Sequence, residues 1–277
     1  MSSVPTVKLN NGVEIPQLGF GVFQIAPAET RAATIEALKV GYRHIDTAEM
    51  YGNEREVGEG IRDFGIDRAD VFVTSKLNNG FHAHADALAA FDRSLAVMKF
   101  DYLDLFLIHW PLPAVGDFVE TWKALEEIYR SGRVRAIGVS NFQRHHLERL
   151  AAEATILPAI NQIEIHPYFT QDDLRAFDRE HGIATEAWSP IAQGQVLDDP
   201  TIVGVAERLN RTPAQITLRW HIQRADIVFP KSVTPSRIAE NFALFDFELA
   251  DEDMAAITAL HRNGRRGPNP DEFNWTP

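Results

Sequence analysis

Short apolar runs alternate along the chain with longer stretches of helical periodicity. In the longer stretches apolar residues recur every three or four positions, as they do on the buried face of an amphipathic helix. Two such sets are Leu88, Phe91, Leu95 and Met98, and Val119, Trp122, Leu125 and Ile128. The eight short runs are GFGVF, HID, VFVTS, LDLFLI, VRAIGVS, AINQIEI, IATEAW and DIVFP.

The alternation of strand and helix predicts a parallel sheet, because parallel strands need a crossover of helical length between them. Eight such units predict a single-domain (β/α)8 TIM barrel, an α/β fold, over residues 1–277, since no linker or low-complexity tract divides the chain. A β-hairpin is predicted before the barrel in the alternating segment 6–19, where the pair Asn11-Gly12 is typical of a type I′ turn. Residues 263–277 are predicted to form an irregular tail.

In a (β/α)8 barrel, the residue that follows each strand lies at the carboxyl-terminal rim, where the active sites of such barrels are built. In this chain those positions are polar or aromatic. We therefore expect their side chains to meet at one mouth of the barrel. In chain order they are Asp46, Lys76, His109, Ser140, Asn141, Gln162, Trp188 and Lys231.

Three of these neighbouring positions predict a tuned proton donor. A lysine at the end of a buried strand needs an anion, and Asp46 from the next rim position can supply one to Lys76. The charge on Lys76 would then favour the phenolate of Tyr51 and lower the tyrosine pKa towards neutrality. Such a phenol can act as a general acid towards a carbonyl oxygen, which His109 can orient by a hydrogen bond.

Composition excludes several classes of function. The 27 Lys and Arg against 39 Asp and Glu leave a net charge of −12, which repels nucleic acid and anionic membranes. The absence of cysteine excludes disulfides, thiolate metal sites and cysteine nucleophiles. The amino terminus lacks the apolar region of a leader peptide, and no apolar run has membrane-spanning length. We therefore expect a soluble, cytoplasmic, monomeric protein whose partner is a small molecule.

Two long motifs carry a resemblance to a known family. The segment GYRHIDTAEMYGNEREVG at 41–58 resembles the first signature of the aldo-keto reductases, and VFPKSVTPSRIAENFALF resembles their cofactor signature. The likeness covers essentially the whole chain and points to the short bacterial branch similar to 2,5-diketo-D-gluconate reductases. It implies NADPH-dependent reduction of an aldehyde or ketone, such as a small dicarbonyl, a keto-sugar or a xenobiotic carbonyl.

The resemblance also implies roles for single residues. The family's catalytic tetrad falls on Asp46, Tyr51, Lys76 and His109, with Tyr51 as the proton donor. No G-x-G-x-x-G segment follows a strand, in agreement with a family that binds NADPH/NADP+ without a Rossmann domain. The residues expected around the substrate are Phe23, Met50, Asn78 and Trp110. Those expected around the cofactor are Gly21, Val22, Ser140, Asn141, Gln162, Trp188, Ser189, Ile191, Gln193, Lys231, Ser232, Val233, Arg237, Glu240 and Asn241.

Within the cofactor set the resemblance divides the work by position. It implies that Ser140, Asn141 and Gln162 hold the nicotinamide carboxamide and that Trp188 stacks on the ring. It implies that three residues of the second motif bind the 2′-phosphate and that two more face the adenine. These are Lys231, Ser232 and Arg237, followed by Glu240 and Asn241.

Three positions depart from the family pattern. Phe229, in the second motif, stands where a smaller aliphatic residue is usual. Asn78 stands where many relatives have an aromatic residue, and Thr234 stands where the diketogluconate enzymes have arginine. No metal site is predicted, but the residues alone leave two other functions open. One is a barrel that binds nicotinamide without catalysis. The other is a metal-dependent hydrolase that uses His109 and Asp46 or the HAH segment at 82–84.

Overall fold

The computed structural model describes residues 4–277. Eight parallel strands form its central sheet, and helices outside the sheet connect each strand to the next. None of the helices in this region is both long enough and apolar enough to cross a lipid bilayer. The strands of the sheet, numbered after the two of an amino-terminal hairpin, are β3 (Phe20–Gly21), β4 (His44–Asp46), β5 (Phe72–Leu77), β6 (Leu103–Ile108), β7 (Val134–Ser140), β8 (Ile160–Glu164), β9 (Ala184–Trp188) and β10 (Ile227–Val228). The helices are α1 (Pro27–Val40), α2 (Glu54–Phe64), α3 (His84–Met98), α4 (Phe118–Arg130), α5 (Arg144–Glu153), α6 (Asp172–Glu180), α7 (Pro200–Leu209), α8 (Pro213–Gln223), α9 (Pro235–Phe242) and α10 (Asp251–Thr258).

A short hairpin precedes the barrel, as predicted. Its strands, β1 (Thr6–Lys8) and β2 (Glu14–Pro16), pair in antiparallel fashion. The predicted type I′ turn is wrong, because that turn needs positive φ at both central residues. In the connection only Gly12 has positive φ, at 87°. Its amide donates to the Leu9 carbonyl at 2.9 Å, so Gly12 closes the turn and does not form its centre.

The sheet closes on itself, which confirms the predicted (β/α)8 barrel. Hydrogen-bonded neighbours run in chain order from β3 to β10, and every pair is parallel. At the seam the Gly19 amide donates to the Val228 carbonyl at 2.7 Å, and the Val228 amide donates to the Gln17 carbonyl at 3.0 Å. A Cβ on Gly21 would lie 2.6 Å from the Phe229 carbonyl oxygen. Glycine is therefore required where the first and last strands meet.

The buried strands β5 and β6 position the polar residues of the mouth. Every residue of both strands is buried, since helices cover the outer face and the barrel interior covers the inner face. The predicted end of β5 at Ser75 is wrong by two residues, so Lys76 lies within the strand and not after it. The continued hydrogen bonding to β6, where Lys76 pairs with Leu107, extends the strand. Lys76 therefore lies deeper in the barrel than a rim loop would allow.

The carboxyl-terminal segment 263–277 contains neither helix nor strand, as predicted for the tail. It runs over the side of the mouth formed after β5 and β6. The Trp275 carbonyl accepts a hydrogen bond from Nδ2 of Asn79 at 2.9 Å. The ring centroids of Phe273 and Trp110 lie 4.3 Å apart. The tail thus forms part of the wall around the active-site mouth.

Helix α2 packs against the end of α3 at a glycine. A Cβ on Gly58 would lie 2.3 Å from the Met98 carbonyl oxygen, a distance that real Cβ atoms do not adopt. Arg62, one turn further along α2, donates to the same carbonyl. Gly204, in the middle of α7, has no atom within 4 Å of the position that a Cβ would occupy. The two helical glycines therefore differ in what surrounds them.

We expect Gly58→Ala to lower the free energy of unfolding by about 1–3 kcal/mol, because the added methyl group must separate α2 from α3. Gly204→Ala is the matched control, and it should raise the free energy of unfolding by about 0.5–1 kcal/mol, since alanine is the better helix former. Urea titration followed by circular dichroism measures both. Equal stability of the two variants would show that the contact between α2 and α3 does not depend on glycine.

Candidate active site

A buried ion pair joins two neighbouring strands inside the barrel. Nζ of Lys76 lies 2.8 Å from Oδ1 and 2.9 Å from Oδ2 of Asp46, the last residue of β4. Neither side chain is open to solvent. Burial by itself favours the neutral amine, but the charge of Asp46 and the contact with Tyr51 outweigh it and raise the pKa of Lys76. Lys76 is therefore a fixed positive charge at the base of the mouth.

Tyr51 lies on this ammonium, in the turn that follows β4. Nζ of Lys76 lies 3.2 Å from the Tyr51 hydroxyl and 2.9 Å from the Thr47 carbonyl oxygen. An ammonium has donors only, so Lys76 donates to the phenol oxygen and leaves the phenol's own hydrogen available. The predicted lowering of the Tyr51 pKa is wrong. Burial raises the pKa of Tyr51, and the nearby charge of Asp46 counters the attraction of Lys76. The phenol therefore keeps its proton at neutral pH.

His109, directly after β6, faces Tyr51 as a neutral imidazole. The two ring centroids lie 5.8 Å apart at an interplanar angle of 74°. Burial lowers the pKa of His109 well below its usual value, and the charge of Lys76 adds to the effect. Nδ1 of His109 has no hydrogen-bond partner among residues 4–277. A neutral imidazole beside a protonated phenol can donate a hydrogen bond without releasing a proton of its own.

The four predicted carboxamide and ring-stacking residues lie together beside the tetrad. Nδ2 of Asn141 donates to the His109 carbonyl at 2.9 Å and to Oγ of Ser140 at 3.1 Å. Oγ of Ser140 donates to the backbone carbonyl of Gln162 at 2.8 Å. The indole nitrogen of Trp188 donates to Oδ1 of Asn141 at 2.8 Å. This network reaches His109 through the backbone carbonyl to which Asn141 donates.

Gln162 connects this network to the buried ion pair and to an acid that sequence reasoning missed. Its Nε2 donates to Oδ2 of Asp46 at 2.9 Å and to Oε2 of Glu186 at 2.8 Å. Glu186 lies in β9 two positions before Trp188, and alternate residues of a strand point to the same face. That spacing in the run IATEAW was the signal that could have placed Glu186 inside the barrel.

A cavity of about 310 Å³ near the start of α9 collects most of the residues predicted to bind the far end of the cofactor. Two cations, Lys231 and Arg237, line it, and neither forms an ion pair with any carboxylate among residues 4–277. Unpaired cations at a helix start are suited to a phosphate. The predicted residues that line the cavity are Ile191, Lys231, Ser232, Val233, Arg237, Glu240 and Asn241.

The remaining predicted cofactor residues lie at the ends of β3 and β9. Gly21 and Val22 are buried at the seam, and the Val22 amide donates to the Asp46 carbonyl at 3.0 Å. Ser189 and Gln193 belong to the loop after β9 and have positive φ, 49° and 56°. That loop also carries Ile191 to the cavity. It therefore connects Trp188 to the cavity by chain continuity.

The four residues predicted around the substrate lie in loops at the mouth. Phe23 is 53% exposed, and its ring centroid is 4.9 Å from that of Tyr51. Trp110 is buried against the tail, whereas Met50 is half-buried in the turn before Tyr51. Asn78 begins a short turn, with Oδ1 3.5 Å from the Gly80 amide. Phe23 thus packs on Tyr51, and Met50 and Trp110 are the chain neighbours of Tyr51 and His109.

A carboxylate that sequence reasoning also missed anchors the tail beside Trp188. The side chain of Glu164, the last residue of β8, accepts from the backbone amides of Arg266 at 2.6 Å and Gly267 at 2.8 Å. These charge-assisted bonds lower the pKa of Glu164 despite its burial, and His166 contributes another. A Cβ on Gly267 would lie 2.4 Å from Cη2 of Trp188. The tail is therefore held against the indole.

Among residues 4–277, one group of histidine and acidic side chains outside the tetrad has ligand atoms close enough together to meet a metal ion. It consists of His145, His146 and Asp271, at the start of α5 and in the tail, and it excludes the tetrad. Nδ1 of His146 accepts from the Gln143 amide at 3.1 Å, so the neutral ring carries its proton on Nε2 and faces Asp271 with a donor. Hydrogen bonding within the protein accounts for this group, and it gives no support to the hydrolase alternative.

Comparison with known proteins decides the family. The model described as "Aldo/keto reductase family" matches residues 17–262. The chain belongs to this family. It is 49% identical to a glyoxal reductase of Bacillus subtilis, covering 97% of each chain. It is 46% identical to the methylglyoxal reductase DkgA of Escherichia coli, covering 99% of each chain.

Solved structures agree over nearly the full length. An aldo/keto reductase from Brucella melitensis superposes with a TM-score of 0.91 at 55% identity, covering 94% of this chain and 99% of that one. A mutant form of Gox0644 in complex with NADPH superposes with a TM-score of 0.96 at 44% identity, covering 99% of this chain and 100% of that one. The chain is therefore an NADP-dependent oxidoreductase that acts on carbonyl groups, which rules out the hydrolase and non-catalytic alternatives.

Proposed function

We propose that this aldo/keto reductase reduces small dicarbonyl compounds of the glyoxal and methylglyoxal type with NADPH. The observation that carries the proposal is the contact of 3.2 Å between Nζ of Lys76 and the Tyr51 hydroxyl, at the mouth of the barrel. The substrate class is supported by the glyoxal and methylglyoxal reductases to which the chain is similar. Activity against a panel of dicarbonyls, keto-sugars and aromatic aldehydes tests it, with the highest kcat/KM expected for the dicarbonyls.

The bound cofactor supplies a hydride from C4 of its nicotinamide ring. The chain's own residues position the carbonyl and deliver the proton. The carbonyl oxygen is placed between the phenol of Tyr51 and the imidazole of His109, and the neutral His109 donates a hydrogen bond to it. Tyr51 then gives its proton to the oxygen, and Lys76 stabilises the phenolate that is left. Asp46 keeps Lys76 in position for this role.

The cofactor residues form two groups that fit the two ends of NADPH. At the tetrad, Gln162 offers a carbonyl oxygen to the carboxamide, and Trp188 offers a ring for stacking. At the other end, the unpaired cations Lys231 and Arg237 suit the 2′-phosphate. The loop with Ser189, Ile191 and Gln193 spans the distance between the two groups. Gly21 and Val22, at the seam beside Asp46, would lie against the nicotinamide ring.

The domain organisation, the oligomeric state, the location and the macromolecular partners of the protein are also proposed. We infer that residues 1–277 form one functional domain, that the protein acts as a monomer in the cytoplasm, and that nucleic acid is not a partner. The net charge of −12 supports the last point, because it repels a phosphate backbone. Size-exclusion chromatography with light scattering tests the monomer, and a shift of a labelled DNA or RNA fragment on addition of protein would contradict the last inference.

Tyr51→Phe is expected to lower kcat for methylglyoxal reduction by about 10²-fold or more, because it removes the general acid and little volume. NADPH binding should persist. Tyr102→Phe is the control, since this tyrosine directly precedes β6, at the opposite end of the strand from His109, and its hydroxyl donates to the Arg68 carbonyl. Stopped-flow measurement of NADPH oxidation gives the rates. Wild-type turnover in Tyr51→Phe would remove Tyr51 from the mechanism.

Arg237→Ala is expected to weaken NADPH binding by about 1.5–3 kcal/mol and to leave NADH binding unchanged, because it removes a charge-assisted bond to the 2′-phosphate. Arg144→Ala, at an exposed pair with Glu148 on α5, is the control. Quenching of tryptophan fluorescence measures both dissociation constants. Equal losses for the two cofactors would identify Arg237 as a structural residue.

Asn78→Trp is expected to shift the kcat/KM ratio towards aromatic aldehydes and away from dicarbonyls by about 1–2 kcal/mol, because a ring adds apolar area and removes a hydrogen-bonding amide. The turn bond to Gly80 predicts a separate loss of stability. Thermal unfolding gives that loss independently. A substrate ratio equal to that of the wild-type protein, with a lowered Tm, would assign Asn78 to turn geometry alone.

A further inference from the structure

Glu186 is a fully buried acid that has no part in the proposed proton transfer. It lies in β9, paired in register with Gln162 of β8 and Ile227 of β10. Its side chain is closed off from solvent and lies in the barrel interior beneath the mouth. Burial raises its pKa to about 8, and the charge of Asp46 adds to the rise. At neutral pH it is therefore mostly the uncharged acid.

The hydrogen-bond partners of Gln162 show what this acid does. The amide nitrogen of Gln162 has two hydrogens. One is directed to Oδ2 of Asp46 at 2.9 Å and the other to Oε2 of Glu186 at 2.8 Å. One anchor would leave the amide free to rotate about that bond, whereas two anchors fix its plane. The only hydrogen-bonding capacity left on the side chain is then the acceptor Oε1.

The neighbouring side chains have no free hydrogens either. Both hydrogens on Nδ2 of Asn141 are used, by the His109 carbonyl and by Oγ of Ser140. The hydroxyl hydrogen of Ser140 is donated to the backbone carbonyl of Gln162, which leaves the side-chain Oε1 of Gln162 unused by Ser140. The protein thus presents acceptors at this site, and the group that matches them must donate. The amino group of a carboxamide does so, whereas an acetyl group of the same shape cannot.

We propose that Glu186 is a positioning residue, which holds the Gln162 amide so that Oε1 accepts a hydrogen bond from the amino group of the nicotinamide carboxamide. This rests on the proposed role of Gln162 in cofactor binding. The Glu186 side chain is fully buried and accepts its hydrogen bond from Gln162. It acts through Gln162, and the same amide also contacts Asp46 of the tetrad. The two anchors therefore connect the orientation of the nicotinamide to the ion pair that contacts Tyr51.

The test compares NADPH with its 3-acetylpyridine analogue, in which a methyl group replaces the amino group of the carboxamide. Tryptophan fluorescence gives both dissociation constants without turnover. The wild-type protein should bind NADPH about tenfold more tightly than the analogue, the value of one hydrogen bond in a buried site. Glu186→Gln keeps an acceptor oxygen and matches the uncharged acid, so it should keep this ratio.

Two variants remove the second anchor in different ways. Glu186→Met has similar volume but no acceptor, and Glu186→Asp keeps the carboxyl group but withdraws it by one methylene. Each should reduce the preference for NADPH to less than about threefold. Glu54→Met is the control, because Glu54 is also a buried acid but bonds Ser75 and Ser94 and does not contact Gln162. It should keep the tenfold ratio. Thermal unfolding identifies any variant that does not fold.

Three results would overturn the assignment of Glu186. The first is a tenfold preference for NADPH over the analogue that persists in both Glu186→Met and Glu186→Asp. The second is loss of this preference in Glu186→Gln, and the third is a wild-type protein that binds NADPH and the analogue equally. If Glu186→Met does not fold, Glu186→Asp decides alone. Failure of the proposed function is distinct, since the wild-type protein would then oxidise no NADPH with any dicarbonyl, whatever the binding ratios are.

Discussion

The buried ion pair between Lys76 and Asp46 is the constraint on which the rest of the site depends. Removing two charges from water costs several kcal/mol per ion, and the attraction between them offsets this only when further hydrogen bonds satisfy both groups. Here those bonds come from the Thr47 carbonyl, the Tyr51 hydroxyl and the Gln162 amide. Each partner that keeps the pair charged is thereby fixed in position. The contacts that stabilise the ion pair are therefore also the contacts that assemble the site.

Three titratable groups near the ion pair, His44, Glu186 and His109, stay neutral, and this preserves the field of the pair. Burial lowers the pKa of His44 to about 3 and raises that of Glu186 to about 8. His109 is neutral for the same reason. A second fixed charge at this depth would either repel the ammonium of Lys76 or compete with Asp46 for it. The barrel interior therefore carries one cation and one anion around Tyr51, with uncharged donors and acceptors beside them.

The mouth is closed on one side by chain that contributes no strand. Glu164 holds the backbone of the tail against Trp188, and Asn79 holds the tail further along at the Trp275 carbonyl. These bonds use backbone groups of the tail, so they place the segment without depending on most of its side chains. Between these two anchors along the tail, the ring of Phe273 packs against the ring of Trp110. The shape of this side of the barrel mouth is therefore set by residues on separate parts of the chain.

The sequence by itself determined the barrel and the chemistry of its mouth. Strands buried on both faces must be apolar, so the eight runs were visible. The polar residues expected at the mouth followed from their places at the strand ends, and only Asp46, Tyr51 and the residues from Lys231 to Asn241 lie within the two long motifs. Only the tertiary structure decided where β5 ends and in which direction the Tyr51 pKa moves. That direction is a balance between burial and two opposing charges, and burial is a property of the packed molecule. It also decided the partners of Gln162 and Glu164. Asp46 is 116 residues from Gln162, and no local pattern records a contact that exists only after the barrel closes.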